Sequence, residues 1–134
     1  MRWYLAVLII IVAGCASPSL PAVKKIDHIR ITVQRMPDEK EEAAKPRTGK
    51  LTTHQDIVEM VDWLHTIDWS QTGTDLTRAD VPRPDGDIII IDQSGATHNY
   101  SFYWNGGFVH TLRNRLIKGG DMDNLKAIVD RVCK

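Results

Sequence analysis

The sequence predicts an α+β fold of two layers, a four-stranded antiparallel sheet with two helices on one face. Two segments carry apolar residues at helical spacing, and four others have the alternation, β-branched content or aromatic content of strands. Their order is β-α-β-β-β-α, and the three consecutive strands favour an antiparallel meander. With 134 residues, of which 43% are hydrophobic, the chain is long enough for a single domain with a real core.

The first strand is predicted over residues 25–35. Ile29, Ile31 and Val33 alternate with polar residues, which is the pattern of a strand with one buried face. Residues 36–50 follow with four acidic and four basic side chains and almost no apolar ones. We expect this stretch to be an exposed loop.

A helix is predicted to begin at Thr52 or Thr53 and to end near Asp68. Thr52 with Gln55 and Thr53 with Asp56 both have the spacing of an N-terminal cap, so the pattern leaves the exact start open. The apolar residues that form its buried stripe are Ile57, Met60, Val61, Leu64 and Ile67.

A second long polar segment, residues 70–86, separates this helix from the remaining strands. Four consecutive isoleucines within residues 87–92 then predict a central strand covered on both faces. Ser94-Gly95 marks a turn, and the next strand is predicted over residues 97–104.

Asn105-Gly106-Gly107 is the strongest hairpin signal, and the chain is predicted to return through residues 108–113. A three-residue loop would place Trp104 opposite Phe108 and Phe102 opposite His110, which collects the large apolar groups on one face. The last helix is expected to begin after Asp121, a good capping residue. Its buried stripe comprises Leu125, Ile128, Val129 and Val132.

The N-terminus has the three-part pattern of a secretory signal peptide. Arg2 is followed by an eleven-residue apolar run from Trp3 to Ala13 and then by small residues. As a helix this run would extend only about 16 Å, roughly half of a bilayer core. A cleaved signal is therefore favoured over an uncleaved membrane span.

Val12-Ala13-Gly14-Cys15 resembles the lipobox of bacterial lipoprotein precursors. The resemblance implies cleavage between Gly14 and Cys15, a diacylated Cys15 thiol carrying palmitate-type chains, and an acylated new amine. Two or three acyl chains anchor a protein stably, where one would not. The organisation expected is a signal peptide over 1–14, a lipidated cysteine and tether over 15–23, and one α+β domain over 24–134.

Ala16, the residue after the lipobox, is not the Asp that favours retention at the inner membrane in enteric bacteria. By that analogy the protein is expected at the outer membrane, facing the periplasm. In a cell without an outer membrane it would lie on the exterior of the cell membrane.

The charge balance argues against nucleic acid as a partner. The chain has 17 Lys and Arg against 17 Asp and Glu, and cleavage would remove only Arg2 from this balance. The mature chain thus has a net charge near −1, without the basic surface that binding to phosphates requires.

No motif for catalysis or for a metal is present. The five histidines include no HxxxH or HxH pair, and no serine lies in a GxSxG elbow. Asp75, Asp80, Asp85 and Asp87 lack the spacing of a calcium loop. We therefore assign no catalytic residue, no metal and no cofactor.

Three residues around the second polar segment are candidates for partner contact, because Trp and Arg are favoured at interfaces. They are Trp69, Arg78 and Arg83. A loop without any binding role, beside a core tryptophan, is the alternative. Arg113, Arg115 and Lys118 form a small basic cluster that either faces anionic headgroups or is simply a solvated strand end.

Cys133 has no partner within the chain if Cys15 is lipidated. It is either a half-buried free thiol beside the stripe of the last helix or an exposed thiol able to pair with another chain.

Together these observations predict a lipid-anchored lipoprotein of the cell envelope with a small non-catalytic binding or structural domain. The expected partners are the membrane and another envelope protein. Two alternatives remain: an inhibitor or immunity-type module against a periplasmic enzyme, and a small envelope hydrolase.

Overall fold

The computed structural model describes residues 20–69, 74–75, 83–110 and 115–134. The strands are β1 (Ile26–Val33), β2 (Arg47–Leu51), β3 (Thr74–Asp75), β4 (Gly86–Asp92), β5 (Thr97–Tyr103), β6 (Gly107–His110) and β7 (Arg115–Lys118). The α-helices are α1 (His54–His65) and α2 (Met122–Val132), and short 3-10 helices occupy Val23–Lys25 and Glu41–Ala43.

The α+β class is confirmed, but the predicted four-stranded layer is wrong. Within the described residues the sheet has seven strands in the order β2-β1-β4-β5-β6-β7-β3, and every neighbouring pair is antiparallel. The strands that the sequence did not predict are β2, β3 and β7. β2 lies mostly in the stretch that was expected to be a loop. The sequence does not predict it because Leu51 is its only apolar residue, so no alternation of polar and apolar residues can be recognised.

The centre of the sheet is the pairing of β1 with β4. Ile31 lies opposite Ile88, and Ile29 lies opposite Ile90. All four side chains are fully buried. The expectation that the isoleucine strand is covered on both faces is wrong, because the intervening Ile89 and Ile91 remain partly exposed.

Helix α1 uses the second of its two possible caps. The Thr53 hydroxyl accepts a hydrogen bond from the Asp56 backbone N–H at 3.2 Å, and the helix ends at His65. All five residues of the predicted stripe are buried. Trp63 lies outside that stripe but is also buried; its indole N–H donates to the Asp121 carbonyl at 2.6 Å, and its ring packs edge-on against Phe108.

The hairpin between β5 and β6 has a three-residue loop, but the predicted register is wrong by two residues. Phe102, not Trp104, lies opposite Phe108, and Tyr103 lies opposite Gly107. A shift of two residues keeps every side chain on its predicted face. Trp104 leaves the ladder because its backbone N–H donates to the Asp85 carboxylate instead. Gly106 has the left-handed backbone that such a loop requires, with φ of 97°.

Helix α2 begins as predicted, since the Asp121 carboxylate accepts the Asn124 backbone N–H at 3.2 Å. Leu125, Ile128 and Val129 are buried, and Val132 is partly buried. The end of the helix lies close to β2: a Cβ added at Gly49 would stand 2.6 Å from the Val132 carbonyl oxygen.

Candidate functional site

A cleft of about 310 Å³ opens where β1 ends and β4 begins. Its walls come from three segments: the residues after β1, the stretch before β2 and the residues before β4. The lining residues are Gln34, Arg35, Ala44, Pro46, Arg83, Pro84 and Asp85.

Asp85 holds the base of this cleft together through its backbone. Its N–H donates to the Phe102 carbonyl at 2.9 Å, and its carbonyl accepts the Gln34 N–H at 2.7 Å. These bonds continue the pairing of β4 with β5 and with β1 by one residue beyond the regular strands. The position of the Asp85 side chain is therefore fixed by the sheet itself.

The Asp85 carboxylate uses both of its oxygens. Oδ1 accepts from Arg35 Nε at 3.3 Å and lies 3.1 Å from Arg35 Nη2, and Oδ2 accepts the Trp104 backbone N–H at 2.8 Å. The Trp104 indole N–H in turn donates to the Arg35 carbonyl. Arg35, Asp85 and Trp104 thus form a closed network, which we call the Asp85 network.

The outer wall of the cleft is braced by a second ion pair. Glu39 Oε1 accepts the Met36 backbone N–H and an Arg47 guanidinium N–H, both at 2.9 Å. The Met36 N–H is the main cause of the lowered pKa of Glu39, and Arg47 adds to it. This pairing closes the segment between β1 and β2, from which Ala44 and Pro46 line the cleft.

The cleft carries more positive than negative charge. Its lining includes two guanidinium groups and one carboxylate, and that carboxylate is engaged by Arg35 and Trp104. Arg83 is exposed and makes no ion pair within the described part of the chain. The arrangement offers guanidinium donors beside a proline-rich apolar wall, so its chemical capability is the binding of an anionic group.

The structure does not bring the three predicted contact residues together at the cleft. Arg83 lines the cleft. Trp69 does not; its indole N–H donates to the Leu64 carbonyl at 3.1 Å, and its ring packs 5.3 Å from that of Tyr100. Arg78 lies outside the described residues, as do Gly14 and Cys15 and the side chains of the proposed basic cluster at Arg113, Arg115 and Lys118.

Cys133 is buried, with 6% of its surface exposed. Of the two alternatives, its position fits a thiol packed beside the stripe of the last helix and not an exposed one. Burial raises the pKa of its thiol to about 11. A Cβ at Gly49 would stand 2.9 Å from its Sγ, which places the thiol between α2 and β2.

The sequence did not predict that Arg35 and Trp104 take part in the network at this cleft. The signal that could have been used is Arg83-Pro84-Asp85, a charged and rigid tripeptide directly before the most apolar strand. In the structure Asp85 is bonded to both neighbouring strands, whereas Arg83 is exposed.

The described residues contain no group of three His, Cys, Asp or Glu side chains placed to hold a metal ion. No helix in that part of the chain is both long enough and apolar enough to cross a bilayer.

Comparison with protein-family models, with curated proteins and with solved structures finds no match to this chain.

Proposed function

We propose that the protein is a lipid-anchored component of the cell envelope whose α+β domain binds a partner and does not itself catalyse a reaction. The observation that carries the proposal is the tetrapeptide Val12-Ala13-Gly14-Cys15, directly after an eleven-residue apolar run. Acylation of Cys15 would anchor the chain by two or three acyl chains, which is enough for stable attachment. With Ala16 next to it, the outer membrane is the expected destination.

The start of the domain supports this arrangement. Leu20 and Val23 pack against the core, and Gln93 holds the following residues through two bonds, from its backbone N–H to the Lys25 carbonyl and from its side chain to the Lys24 carbonyl. Leu20 lies five positions after Cys15 in the sequence, a reach of at most about 18 Å. A lipid on Cys15 would therefore keep this end of the domain near the membrane.

The charges at this end are compatible with a membrane surface. Lys24 and Lys25 are both exposed, immediately before β1. Each lysine near an anionic bilayer surface contributes about 1 kcal/mol of attraction. They would assist the anchor rather than replace it.

The proposal is tested by metabolic labelling with radioactive palmitate in cells that express the full chain. We expect the wild-type protein to be labelled and to fractionate with outer membranes on a density gradient. Cys15→Ser should remain an unprocessed precursor without label. Cys133→Ser is the matched control, because it removes the other cysteine and should be labelled as the wild type is. Unchanged labelling of Cys15→Ser would refute the proposal.

A further inference from the structure

We propose that the cleft between Arg35 and Arg83 binds a carboxylate group of a peptide segment. This inference deepens the proposed function, on which it rests, by naming what the domain recognises. It depends on four features of the structure: the position of the cleft, its unbalanced charge, its walls and its size.

The cleft lies at the end of the sheet opposite the proposed anchor. Ile26 begins β1 beside the tether, and Arg35 lies two residues beyond Val33, where β1 ends. At about 3.3 Å per residue the eight residues of β1 span roughly 26 Å. The turn at Gln93 lies at the anchor end, whereas Asp85 and Trp104 lie at the cleft end. A lipid-anchored domain would thus present the cleft away from the bilayer, so lipid headgroups are not its expected ligand.

The charge of the cleft is matched to a single anionic group. The Asp85 carboxylate is satisfied by Arg35 and by the Trp104 N–H, and Arg83 has no ion pair with any of the described residues. Arg35 uses Nε and Nη2 for Asp85, while its Nη1 has no hydrogen-bond partner in the described residues. Guanidinium groups hold carboxylates through paired N–H donors.

The walls and the size favour a carboxylate carried on a peptide over a polyanion. Ala44, Pro46 and Pro84 provide an apolar surface beside the donors. The volume of about 310 Å³ is at the lower end of ligand pockets, enough for one or two residues. A nucleic acid or another polyanion would need a broader basic surface than a chain of zero net charge supplies.

The carboxylate could belong to the C-terminus of a chain or to an Asp or Glu side chain, and the experiment distinguishes these sources. The full chain, purified in detergent, is titrated with three tripeptides: acetyl-Ala-Ala-Ala as the free acid, its C-terminal amide, and acetyl-Ala-Glu-Ala-amide. The readout is the NMR signal of the Trp104 indole N–H, which donates to the Arg35 carbonyl at the cleft.

We expect the free acid or the glutamate peptide to shift this signal in a saturable manner, and the Ala-Ala-Ala amide to leave it unchanged. A response to the free acid alone identifies a C-terminus, and a response to the glutamate peptide identifies an acidic side chain. Arg83→Gln should weaken binding at least tenfold. Arg30→Gln is the matched control, because it removes an exposed charge from the middle of β1 and should bind as the wild type does.

Three results would overturn the inference: a response to neither the free acid nor the glutamate peptide beyond that to the Ala-Ala-Ala amide, unchanged binding by Arg83→Gln, or displacement of the peptide by an equimolar amount of inorganic phosphate. The measurement uses purified protein and does not depend on whether Cys15 is acylated. A failure of palmitate labelling and a failure of peptide binding are therefore distinguishable.

Discussion

Replacement of Asp85 by alanine should destabilise the fold, because this side chain is mostly buried, with 12% of its surface exposed. The carboxylate is the acceptor for the half-buried Trp104 backbone N–H, and it pairs with Arg35. A partly buried donor left without its acceptor costs about 1–3 kcal/mol. The ion pair adds only about 0.5 kcal/mol, because the Arg35 side chain is 39% exposed. We therefore expect Asp85→Ala to lower the free energy of unfolding by about 2 kcal/mol.

Asp85→Asn separates the two contributions. Its amide oxygen can still accept the Trp104 N–H, while the charge opposite Arg35 is lost. We expect this variant to lose about 0.5–1 kcal/mol, since only the ion pair is weakened. Arg35→Gln removes the same pair from the other side and should fall in the same range.

Urea unfolding of the full chain in detergent, followed by tryptophan fluorescence, measures these differences. A loss of about 2 kcal/mol moves the midpoint by roughly 1 M urea when the slope is in the usual range. If Asp85→Asn is as damaging as Asp85→Ala, the charge pair and not the Trp104 acceptor is what matters. If both variants unfold as the wild type does, the Asp85 network contributes nothing to stability and our reasoning is refuted.

Two further predictions concern the packing of α2 on β2. Burial raises the pKa of the Cys133 thiol from 9.0 to about 11, so the native state holds this proton more tightly than the unfolded chain does. The stability that the protonated thiol contributes should be complete below pH 9 and lost as the pH rises to 11. Urea midpoints should therefore fall less steeply over this range in Cys133→Ala, and parallel pH profiles would contradict the assignment. Gly49→Ala should cost about 2–3 kcal/mol, the upper part of the usual range for overpacking, because its Cβ would stand 2.6 Å from the Val132 carbonyl oxygen. Gly95→Ala is the comparison, because a Cβ at Gly95 would have no atom within 4 Å and would be strained only by the left-handed φ of 88°. Its cost should be about 1 kcal/mol. An equal cost at Gly49 would argue against the steric explanation.

The helices were predictable because their determinants are local. Thr53 and Asp121 cap α1 and α2 through hydrogen bonds to residues three positions on, and the stripes repeat within each helix. Strand β2 has no such local signal. It pairs with β1 as Arg47-Thr-Gly-Lys-Leu, and it is secured by contacts far away in sequence, where Gly49 permits the close approach of Val132.

The hairpin register shows how a distant contact changes a local prediction. The glycines correctly indicated a three-residue loop and a left-handed residue, Gly106. The choice between Trp104 and Tyr103 as the last paired residue depended on Asp85, which is 19 residues away and takes the Trp104 N–H. Sorting large apolar groups onto one face could not decide this, because both registers place them on the same face.

The sequence suggested Arg83 as a contact candidate because it stands in a long polar segment, but it did not suggest Arg35. Arg35 follows β1 and meets Asp85 only through the pairing of β1 with β4, across 50 positions of the chain. Nothing near Arg35 in the sequence distinguishes it from the other exposed arginines. A binding site assembled at the ends of non-consecutive strands requires the strand order before its members can be named.

The charged residues of the cleft have different roles: Asp85 stabilises the fold, and Arg83 is proposed to bind the ligand. Asp85 is committed to the fold, since both oxygens are bonded, whereas Arg83 has no ion pair among the described residues. Substitutions of these two residues should therefore affect different properties. Arg83→Gln should weaken peptide binding without moving the urea midpoint, and Asp85→Asn should lower stability while leaving Arg83 in place. Because Asp85→Asn also frees the Arg35 guanidinium, it raises the positive charge of the cleft by one. A carboxylate ligand should then bind more tightly to the less stable protein, which a purely structural role for these residues would not produce.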